Sequence, residues 1–377
     1  MNCDIFCAVV DNYGDIGVCW RLARQLASEY GFAVRLLCDD LQVFARICPG
    51  LDAGAARQRL AGVEICRWDQ AAAMQPAGLV LETFGCRLPE TYVEAMLRSG
   101  GAAPVWINFE YLSAEKWVEG CHGLPSRHPR LPLVTWFFYP GFTAATGGLL
   151  REAALLQERR QFCADAAAIA RYRAALGLEL RPQGQYVSLF CYDQAPLDDW
   201  LAELAAGPAA VTVVVPESVA GAALSRWGLA PQAGARAAHG ALTLLRIALQ
   251  DQAGYDRLLW SCDFNVVRGE DSFLRALWAD RPFCWHIYPQ QDGAHAAKLD
   301  AFLARYAGDT PAAGGQPLAD FMRAWNALPA APAVVPAWQA LQAARTEAAG
   351  FAAARAEHFG SMPDAASMLV KLVQEKL

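Results

Sequence analysis

The N-terminal stretch of the chain reads Asp4-Ile5-Phe6-Cys7-Ala8-Val9-Val10-Asp11-Asn12-Tyr13-Gly14-Asp15-Ile16-Gly17. Its apolar run Ile5–Val10 is continuous and not alternating, which predicts a strand of a parallel sheet covered on both faces. Beyond the glycines, apolar residues recur every four positions, at Val18, Leu22, Leu26 and Tyr30. This spacing places one apolar stripe on a helix that begins near Asp15. The stretch therefore predicts the strand, loop and helix of a doubly wound α/β domain.

The same rhythm continues outward from this unit. Further strands of the first series are predicted at Ala33–Cys38, Val63–Arg67, Leu79–Leu81 and Val105–Phe109. A second series is predicted at Val187–Phe190, Val211–Val215, Leu242–Ile247, Phe264–Val267 and Phe283–Tyr288, with helical patterns between. A chain of 377 residues can bury two cores of this size. The fold class predicted is α/β, with two Rossmann-like domains facing each other across a cleft, as in GT-B glycosyltransferases.

The two series suggest a division of the chain into four segments. Residues 1–150 form the first Rossmann-like domain, 151–184 a helical connection and 185–350 the second Rossmann-like domain. Residues 351–377 form a helical region expected to pack back on the first domain. The uncharged segment Leu131–Leu150 is interrupted by Pro and Gly, so we expect an interdomain segment and not a membrane helix.

The composition of the chain excludes some classes of function. The net charge of −6 and the pI near 5.6 argue against non-specific nucleic-acid binding, which needs a clustered basic surface. The 12 cysteines are scattered, and no two have C-x-x-C spacing. They are typical of free thiols in a reducing compartment. With no signal peptide recognised at the start of the sequence, a cytoplasmic location is expected.

The loop after the first strand contains two carboxylates, Asp11 and Asp15, and two glycines, Gly14 and Gly17. Loops at the carboxyl ends of parallel strands bind ligands, and glycines allow the backbone to approach them. The loop lacks G-x-G-x-x-G, so a dinucleotide is not indicated. The alternative is structural, with Asp15 as the helix N-cap and Asp11 as a turn former. Spacing alone leaves both interpretations open.

A second candidate site reads Arg268-Gly269-Glu270-Asp271-Ser272 and again follows a predicted strand. An arginine and a glycine before a helix N-terminus favour a diphosphate, because the guanidinium, the helix dipole and the free N–H groups all attract an anion. Glu270 and Asp271 could then bind ribose or sugar hydroxyls. Here too a merely capped helix is the alternative. The dispersed histidines and the absence of D-x-D spacing give no support for a metal site.

Other residues could complete the second site. Phe190 and Tyr192 follow a predicted strand and could stack on a base or sugar, and Gln250 could recognise base edges. His286 and Tyr288 end a strand at the same level, although a strand-end histidine is more often a core residue. The aromatic run Trp136–Tyr139 is expected in the core at the domain junction.

Taken together, these residues closely resemble the bacterial elongation factor P arginine rhamnosyltransferases, the EarP family. The matching segments are Asp4–Cys7, Asp11–Gly17, Trp20–Leu26, Asn108–Ser113, Gly123–Ser126, Phe137–Phe142, Ser188–Tyr192, Arg268–Phe273 and Trp285–Gln290. They cover almost the whole chain in order, which makes the resemblance specific although any one motif alone is weak.

The resemblance implies an inverting GT-B enzyme that transfers rhamnose from dTDP-β-L-rhamnose to an arginine of elongation factor P, without a metal or other cofactor. It implies Asp11 and Asp15 as the catalytic pair, and we assign the base role to Asp15. It makes residues 1–150 the acceptor-binding domain. The donor-binding positions implied are Tyr13, Gly14, Gly17, Phe190, Tyr192, Gln250, Arg268, Glu270, Asp271 and Ser272. One position departs from the family, because Ile247 stands where relatives tend to have Phe.

Two rival functions remain open from the sequence. A GT-B enzyme with another donor or a small-molecule acceptor would keep both loops, and a panel of nucleotide-sugars in a thermal-shift assay would separate the donors. A nucleotide-binding module or dehydrogenase is disfavoured by the missing dinucleotide fingerprint. Loss of bound sugar in the presence of acceptor would exclude a mere binder.

Overall fold

The structure is a computed structural model, and it describes residues 1–10, 13–98, 103–178, 184–290, 293–307 and 313–377. The chain divides into two compact units. The first comprises Met1–Ala153 together with Ser361–Leu377, and the second comprises Ala154–Gly360. Each unit contains its own sheet. The predicted α/β class with two Rossmann-like domains is confirmed.

Within the described residues, the first unit contains an eight-stranded sheet in the order β3-β4-β2-β1-β5-β6-β8-β7. The strands are β1 Asn2–Cys7, β2 Ala33–Cys38, β3 Arg57–Leu60, β4 Val63–Arg67, β5 Leu79–Thr83, β6 Val105–Phe109, β7 Pro125–Arg127 and β8 Val134–Phe138. The edge strands β3 and β7 run antiparallel to their neighbours, and the other pairs are parallel. The helices are α1 Tyr13–Tyr30, α2 Leu41–Ala45, a 3₁₀ helix Trp68–Ala73, α3 Glu90–Arg98, α4 Trp117–Cys121 and, from the chain end, α15 Ala365–Lys376.

The first strand and helix form where the sequence predicts them, with one difference at the strand end. Ile5, Phe6 and Cys7 are completely buried, and β1 lies between β2 and β5. The strand ends at Cys7 and not at Val10, because the N–H groups of Val9 and Val10 bond to carboxylates and leave the sheet ladder. Val10 is 80% exposed despite its apolar side chain. The apolar run thus contributes a strand and then the first residues of the loop.

Within the described residues, the second unit contains a six-stranded sheet in the order β11-β12-β10-β9-β13-β14. The strands are β9 Gln185–Leu189, β10 Val211–Pro216, β11 Arg236–His239, β12 Leu242–Ile247, β13 Phe264–Arg268 and β14 Phe283–His286. Only β11, at the edge, is antiparallel to its neighbour in this described sheet. The helices are α5 Leu155–Ala164, α6 Ala166–Ala175, α7 Leu197–Ala206, α8 Gly221–Arg226, α9 Gln252–Ser261, α10 Glu270–Trp278, α11 Ala294–Ala307, α12 Gly315–Trp325, α13 Val334–Ala343 and α14 Arg345–Gly360.

Several segments lie elsewhere than the sequence suggests. The uncharged segment 131–150 is not an interdomain connection throughout, because it contains β8, which pairs with β6 inside the first sheet. The connection 151–184 contributes α5 and α6 to the second unit. These helices pack through Phe162, whose ring contacts those of Tyr172 and Trp260.

The C-terminal region divides at a different point from the one expected. The helix α14 belongs to the second unit, where Phe351 packs against Tyr306. The return to the first unit begins at Ser361, later than residue 351. There Asp364 caps α15 by accepting from Ala366 N and Ser367 N, and Gln25 on α1 donates to the same carboxylate at 3.1 Å. A cap shared between two helices fixes α15 on the first unit.

No helix among the described residues is long and apolar enough to span a membrane.

Candidate functional site

The loop after β1 is closed by a buried carboxylate. Asp15 is 3% exposed and lies in the first turn of α1, where its Oδ2 accepts a 2.8 Å hydrogen bond from the backbone N–H of Val10. Asp15 is therefore inside the helix and not its N-cap, which corrects the structural alternative. The acid still fits its position, because a negative charge in a first turn complements the helix dipole. Asp11 and Asn12 lie outside the described residues.

A second carboxylate supports the same loop from the neighbouring strand. Asp39, directly after β2, accepts a 2.9 Å hydrogen bond from Val9 N, and Asp40 accepts from Val43 N to cap α2. Asp39 and Asp40 thus both accept backbone hydrogen bonds at this edge of the sheet. In the described part of the chain, no group of three or more His, Cys, Asp or Glu side chains is placed to hold a metal ion.

The remaining first-loop positions lie on the first turns of α1. Gly14 is partly buried and Gly17 is buried. The ring of Tyr13 is partly buried and lies under the Arg46 guanidinium, 5.8 Å from its centroid. The helix is held to the sheet by a chain of hydrogen bonds, in which Cys19 Sγ donates to Thr83 Oγ1 at 3.3 Å and Thr83 donates to the Phe6 carbonyl at 2.6 Å. These hydrogen bonds fix the first turns of α1 relative to β1 and β5.

Two carboxylates at this edge of the sheet were missed by the site prediction. Glu82 is near the end of β5, and Glu110 directly follows β6, the next strand in the sheet. Burial raises the pKa of both carboxyl groups, while Trp106 Nε1 donates to Glu82 at 3.1 Å and Asn108 Nδ2 donates to Glu110 at 2.8 Å. An acidic residue at the carboxyl end of a buried parallel strand is the sequence signal that could have found them.

Aromatic side chains lie next to Glu110. The ring of Tyr111, which is 42% exposed, stacks on Phe84 with centroids 4.4 Å apart. Phe84 has a positive φ of 55°, a conformation rare for a large side chain. Stacking and this backbone conformation hold exposed Tyr111 against partly buried Phe84 at the same edge of the sheet as Asp15.

In the second unit, the loop between β13 and α10 has the predicted architecture. Gly269 is the N-cap of α10 with φ 62° and ψ −178°, which a side chain would strain. Ser272 is 7% exposed, and its Oγ accepts a 3.1 Å hydrogen bond from Arg268 N. Glu270 and Asp271 occupy the first turn, and Gln252 approaches Asp271 at 3.5 Å. The loop presents a helix N-terminus directly after an arginine.

Arg268 itself is held between two aromatic rings. Its guanidinium carbon lies 4.6 Å from the ring centroid of Phe190 and 4.7 Å from that of Tyr192, and Nη1 donates to the Cys191 carbonyl at 3.3 Å. Both rings are at least 90% buried. The structure therefore places these aromatics against the arginine, whereas the sequence suggested stacking on a base or sugar. Cation–π contacts of this kind restrict where the guanidinium can point.

The two positions proposed for base recognition lie further along. Gln250 is partly buried, and its amide donates to the Ala248 carbonyl at 2.9 Å. Ile247 is the last residue of β12, is 3% exposed and packs in a core cluster with Leu245 and Leu258. An aliphatic side chain buried in this cluster offers no stacking face to a base.

Comparisons with known proteins point to one family. The family described as elongation factor P (EF-P) rhamnosyltransferase EarP matches residues 3–374. A protein-arginine rhamnosyltransferase of Pseudomonas putida is 50% identical over 326 residues, 86% of each chain. One from Pseudomonas aeruginosa is 44% identical over 377 residues, 99% of each chain. A solved structure, described as the structural basis for EarP-mediated arginine glycosylation of translation elongation factor EF-P, is 35% identical with a TM-score of 0.70. It covers 100% of this chain and 99% of its own.

Proposed function

The chain belongs to the elongation factor P rhamnosyltransferase (EarP) family and is a glycosyltransferase, and we propose that it transfers rhamnose from dTDP-β-L-rhamnose to an arginine side chain of elongation factor P. The observation that carries the proposal is Arg268, held between Phe190 and Tyr192 beside the N-terminus of α10. This arrangement suits a diphosphate. We further propose a cytoplasmic enzyme whose first unit binds the acceptor and whose second unit binds the donor.

The donor end follows from the chemistry of the leaving group. When the bond between the anomeric carbon and the diphosphate oxygen breaks, negative charge develops on that oxygen. A guanidinium and the N–H groups of a helix N-terminus stabilise such charge without reorganisation. In the proposed pose, Arg268 and the α10 N-terminus bind the diphosphate, and Ser272 supports the loop. Glu270 and Asp271 bind ribose or sugar hydroxyl groups, and Gln250 forms hydrogen bonds with the base. We propose that no metal ion is required, because these groups already supply the positive character.

The acceptor end must activate an unusually weak nucleophile. An arginine guanidinium is a far weaker acid than an aspartic carboxyl group, so an aspartate cannot deprotonate it before the reaction. A carboxylate can, however, hold the guanidinium by charge-assisted hydrogen bonds and aim one nitrogen at the anomeric carbon. We assign this aiming to Asp11 and proton acceptance to Asp15, with Tyr13, Gly14 and Gly17 shaping the loop towards the donor.

The transfer is a single displacement. The guanidinium nitrogen forms a bond to the anomeric carbon as the carbon–oxygen bond to the diphosphate breaks, and the configuration at that carbon inverts. The bonding electrons leave with dTDP. The nitrogen becomes more acidic as the new bond forms, and its proton passes to Asp15.

The donor assignment is tested by calorimetric titration with dTDP, UDP and GDP, followed by dTDP-rhamnose. The proposal expects dTDP to bind more tightly than the other two nucleotides. Equal affinity for all three would contradict the donor assignment, and tighter binding of UDP or GDP would favour the rival enzyme with another sugar donor.

A further inference from the structure

The three residues Phe190–Tyr192 directly follow β9, and their backbone groups form hydrogen bonds with three different partners. Phe190 N donates to the Val266 carbonyl at 2.9 Å, and the Cys191 carbonyl accepts from Arg268. Tyr192 N then donates to Nδ1 of His286 at 3.2 Å. At this last position, the side chain of His286 replaces a backbone carbonyl as the acceptor.

His286 is well placed for this task. It ends β14 in register with Arg268 on β13, and it is 4% exposed. Its ring meets the Tyr192 ring edge-on, with centroids 5.2 Å apart. Asn326, the C-cap of α12, fixes the adjoining backbone, because it accepts from Ile287 N at 3.0 Å and donates to the Trp285 carbonyl at 2.8 Å. The imidazole is therefore anchored on both sides of its position in the chain.

The hydrogen bond from Tyr192 requires an unprotonated Nδ1. Burial lowers the pKa of His286 to about 3, with smaller electrostatic contributions from Arg268 on β13 and His295 on α11. The ring is therefore neutral at physiological pH, and its single proton is on Nε2. The histidine accepts at Nδ1 throughout the pH range in which the enzyme would work.

We propose that His286 is a positioning residue for donor binding: through Nδ1 it holds the backbone of Tyr192, and the Tyr192 ring and Cys191 carbonyl in turn hold the Arg268 guanidinium in place for the diphosphate. The inference rests on the proposed function, because it takes Arg268 to be the diphosphate ligand. Preorganising a long side chain strengthens binding, since less conformational freedom is lost when the ligand arrives.

A core histidine with no role in binding would support folding alone. Both views expect a buried, hydrogen-bonded ring, so a loss of stability on substitution cannot distinguish them. The positioning role predicts two further results. Any side chain with a hydrogen-bond acceptor at the place of Nδ1 should preserve donor affinity. The effect of His286 on donor affinity should also depend on Arg268.

Three variants of His286 test the first prediction by titration with dTDP. In His286→Asn, Oδ1 occupies nearly the place of Nδ1, so dTDP affinity should stay within about threefold of the unmodified enzyme. His286→Leu removes the acceptor, and the loss of one hydrogen bond should weaken binding by about tenfold. His286→Gln has its oxygen one carbon further out and should resemble His286→Leu, so it replaces that variant if the leucine protein does not fold.

The second prediction is tested by a double-mutant cycle with Arg268→Ala. With Arg268 removed, His286→Leu should change dTDP affinity by less than about twofold. Equal losses in His286→Asn and His286→Leu, or full additivity with Arg268→Ala, would overturn the inference. Failure of the unmodified protein to bind dTDP would contradict the proposed function instead, whereas normal binding by both the unmodified protein and His286→Leu would contradict the role of His286 alone.

Discussion

The backbone N–H of Val10 donates a 2.8 Å hydrogen bond to Oδ2 of Asp15, five residues further along the chain. This bond joins the last described residue before Asp11 to the first turn of α1 and fixes one carboxylate oxygen of Asp15. Under the proposed function, the buried carboxylate of Asp15 has two separable roles, one in holding the loop and one in accepting a proton. Substitution with asparagine distinguishes them, because its side-chain oxygen can still accept from Val10 but carries no charge.

We expect Asp15→Asn to fold and to bind dTDP-rhamnose nearly as the unmodified enzyme does. Rhamnosyl transfer should fall at least about a hundredfold, because general-base assistance typically contributes that much or more. Melting temperature, donor affinity and single-turnover transfer rate measured side by side provide the test. A near-normal rate would show that the carboxylate only holds the loop. Asp11→Asn should lose activity too, but less severely.

Replacement of Arg268 tests the diphosphate site. We expect Arg268→Ala to weaken dTDP binding by about ten- to a hundredfold, as hydrogen bonds to a charged group are lost. Calorimetry in the presence and absence of magnesium gives the measurement. The matched control is Arg226→Ala, since Arg226 forms an exposed ion pair with Asp198 in the same unit. Unchanged affinity in Arg268→Ala, or binding by the unmodified enzyme only with magnesium, would refute the metal-free account.

The aromatic rings beside Arg268 should affect the donor through the arginine. Phe190→Leu keeps an apolar side chain but removes the cation–π contact, which is worth about 0.5–2 kcal/mol depending on desolvation. We expect dTDP affinity to fall about three- to tenfold with little change in melting temperature. Tyr192→Phe retains the ring and its contact with Arg268, so any affinity lost in that variant reports on the hydroxyl group alone. A large drop in melting temperature at unchanged affinity would make Phe190 a core residue only.

The stability of the protein should depend on His286 at acidic pH. The histidine has a pKa of about 3 in the folded chain and about 6.5 when unfolded, so between these values the unfolded state binds more protons. The free energy of unfolding should therefore fall as the pH drops from about 6.5, by up to about 1.4 kcal/mol per pH unit from this group.

Denaturant titrations of the unmodified protein and His286→Asn at several pH values isolate that contribution. His122, whose pKa burial also lowers, is present in both proteins and cancels in the comparison. The variant should show a shallower loss on acidification. Parallel curves for the two proteins would mean that His286 is not kept neutral by the fold.

Much of this fold can be predicted from the sequence, because buried parallel strands consist of short continuous runs of apolar residues. Val63–Arg67 and Leu242–Ile247 are found with their bounds unchanged. The antiparallel edge strands, such as Arg57–Leu60, are missed because they are short and largely polar. The strand β8 is misjudged because its flanking prolines and glycines suggest a connection, whereas pairing with β6 keeps it in the sheet.

The candidate site is predicted in outline and not in its contacts. A glycine after Arg268 and a serine in the next turn suffice to foresee a loop opening a helix. Nothing in the spacing of Phe190 and Tyr192 says that their rings flank Arg268, because that contact joins strands distant in sequence. Glu110 directly follows β6, but the sequence does not say which strands neighbour β6 in the sheet, so this carboxylate is not assigned to the site.

The most direct test of the account is the intact mass of elongation factor P after incubation with this enzyme and dTDP-β-L-rhamnose. We predict a gain of one deoxyhexosyl residue, located on an arginine by fragmentation, no gain without the donor, and far less product with Asp15→Asn in the same incubation time. Elongation factor P that stays unmodified while the enzyme binds dTDP-rhamnose, or that carries the sugar on a residue other than arginine, would contradict the account.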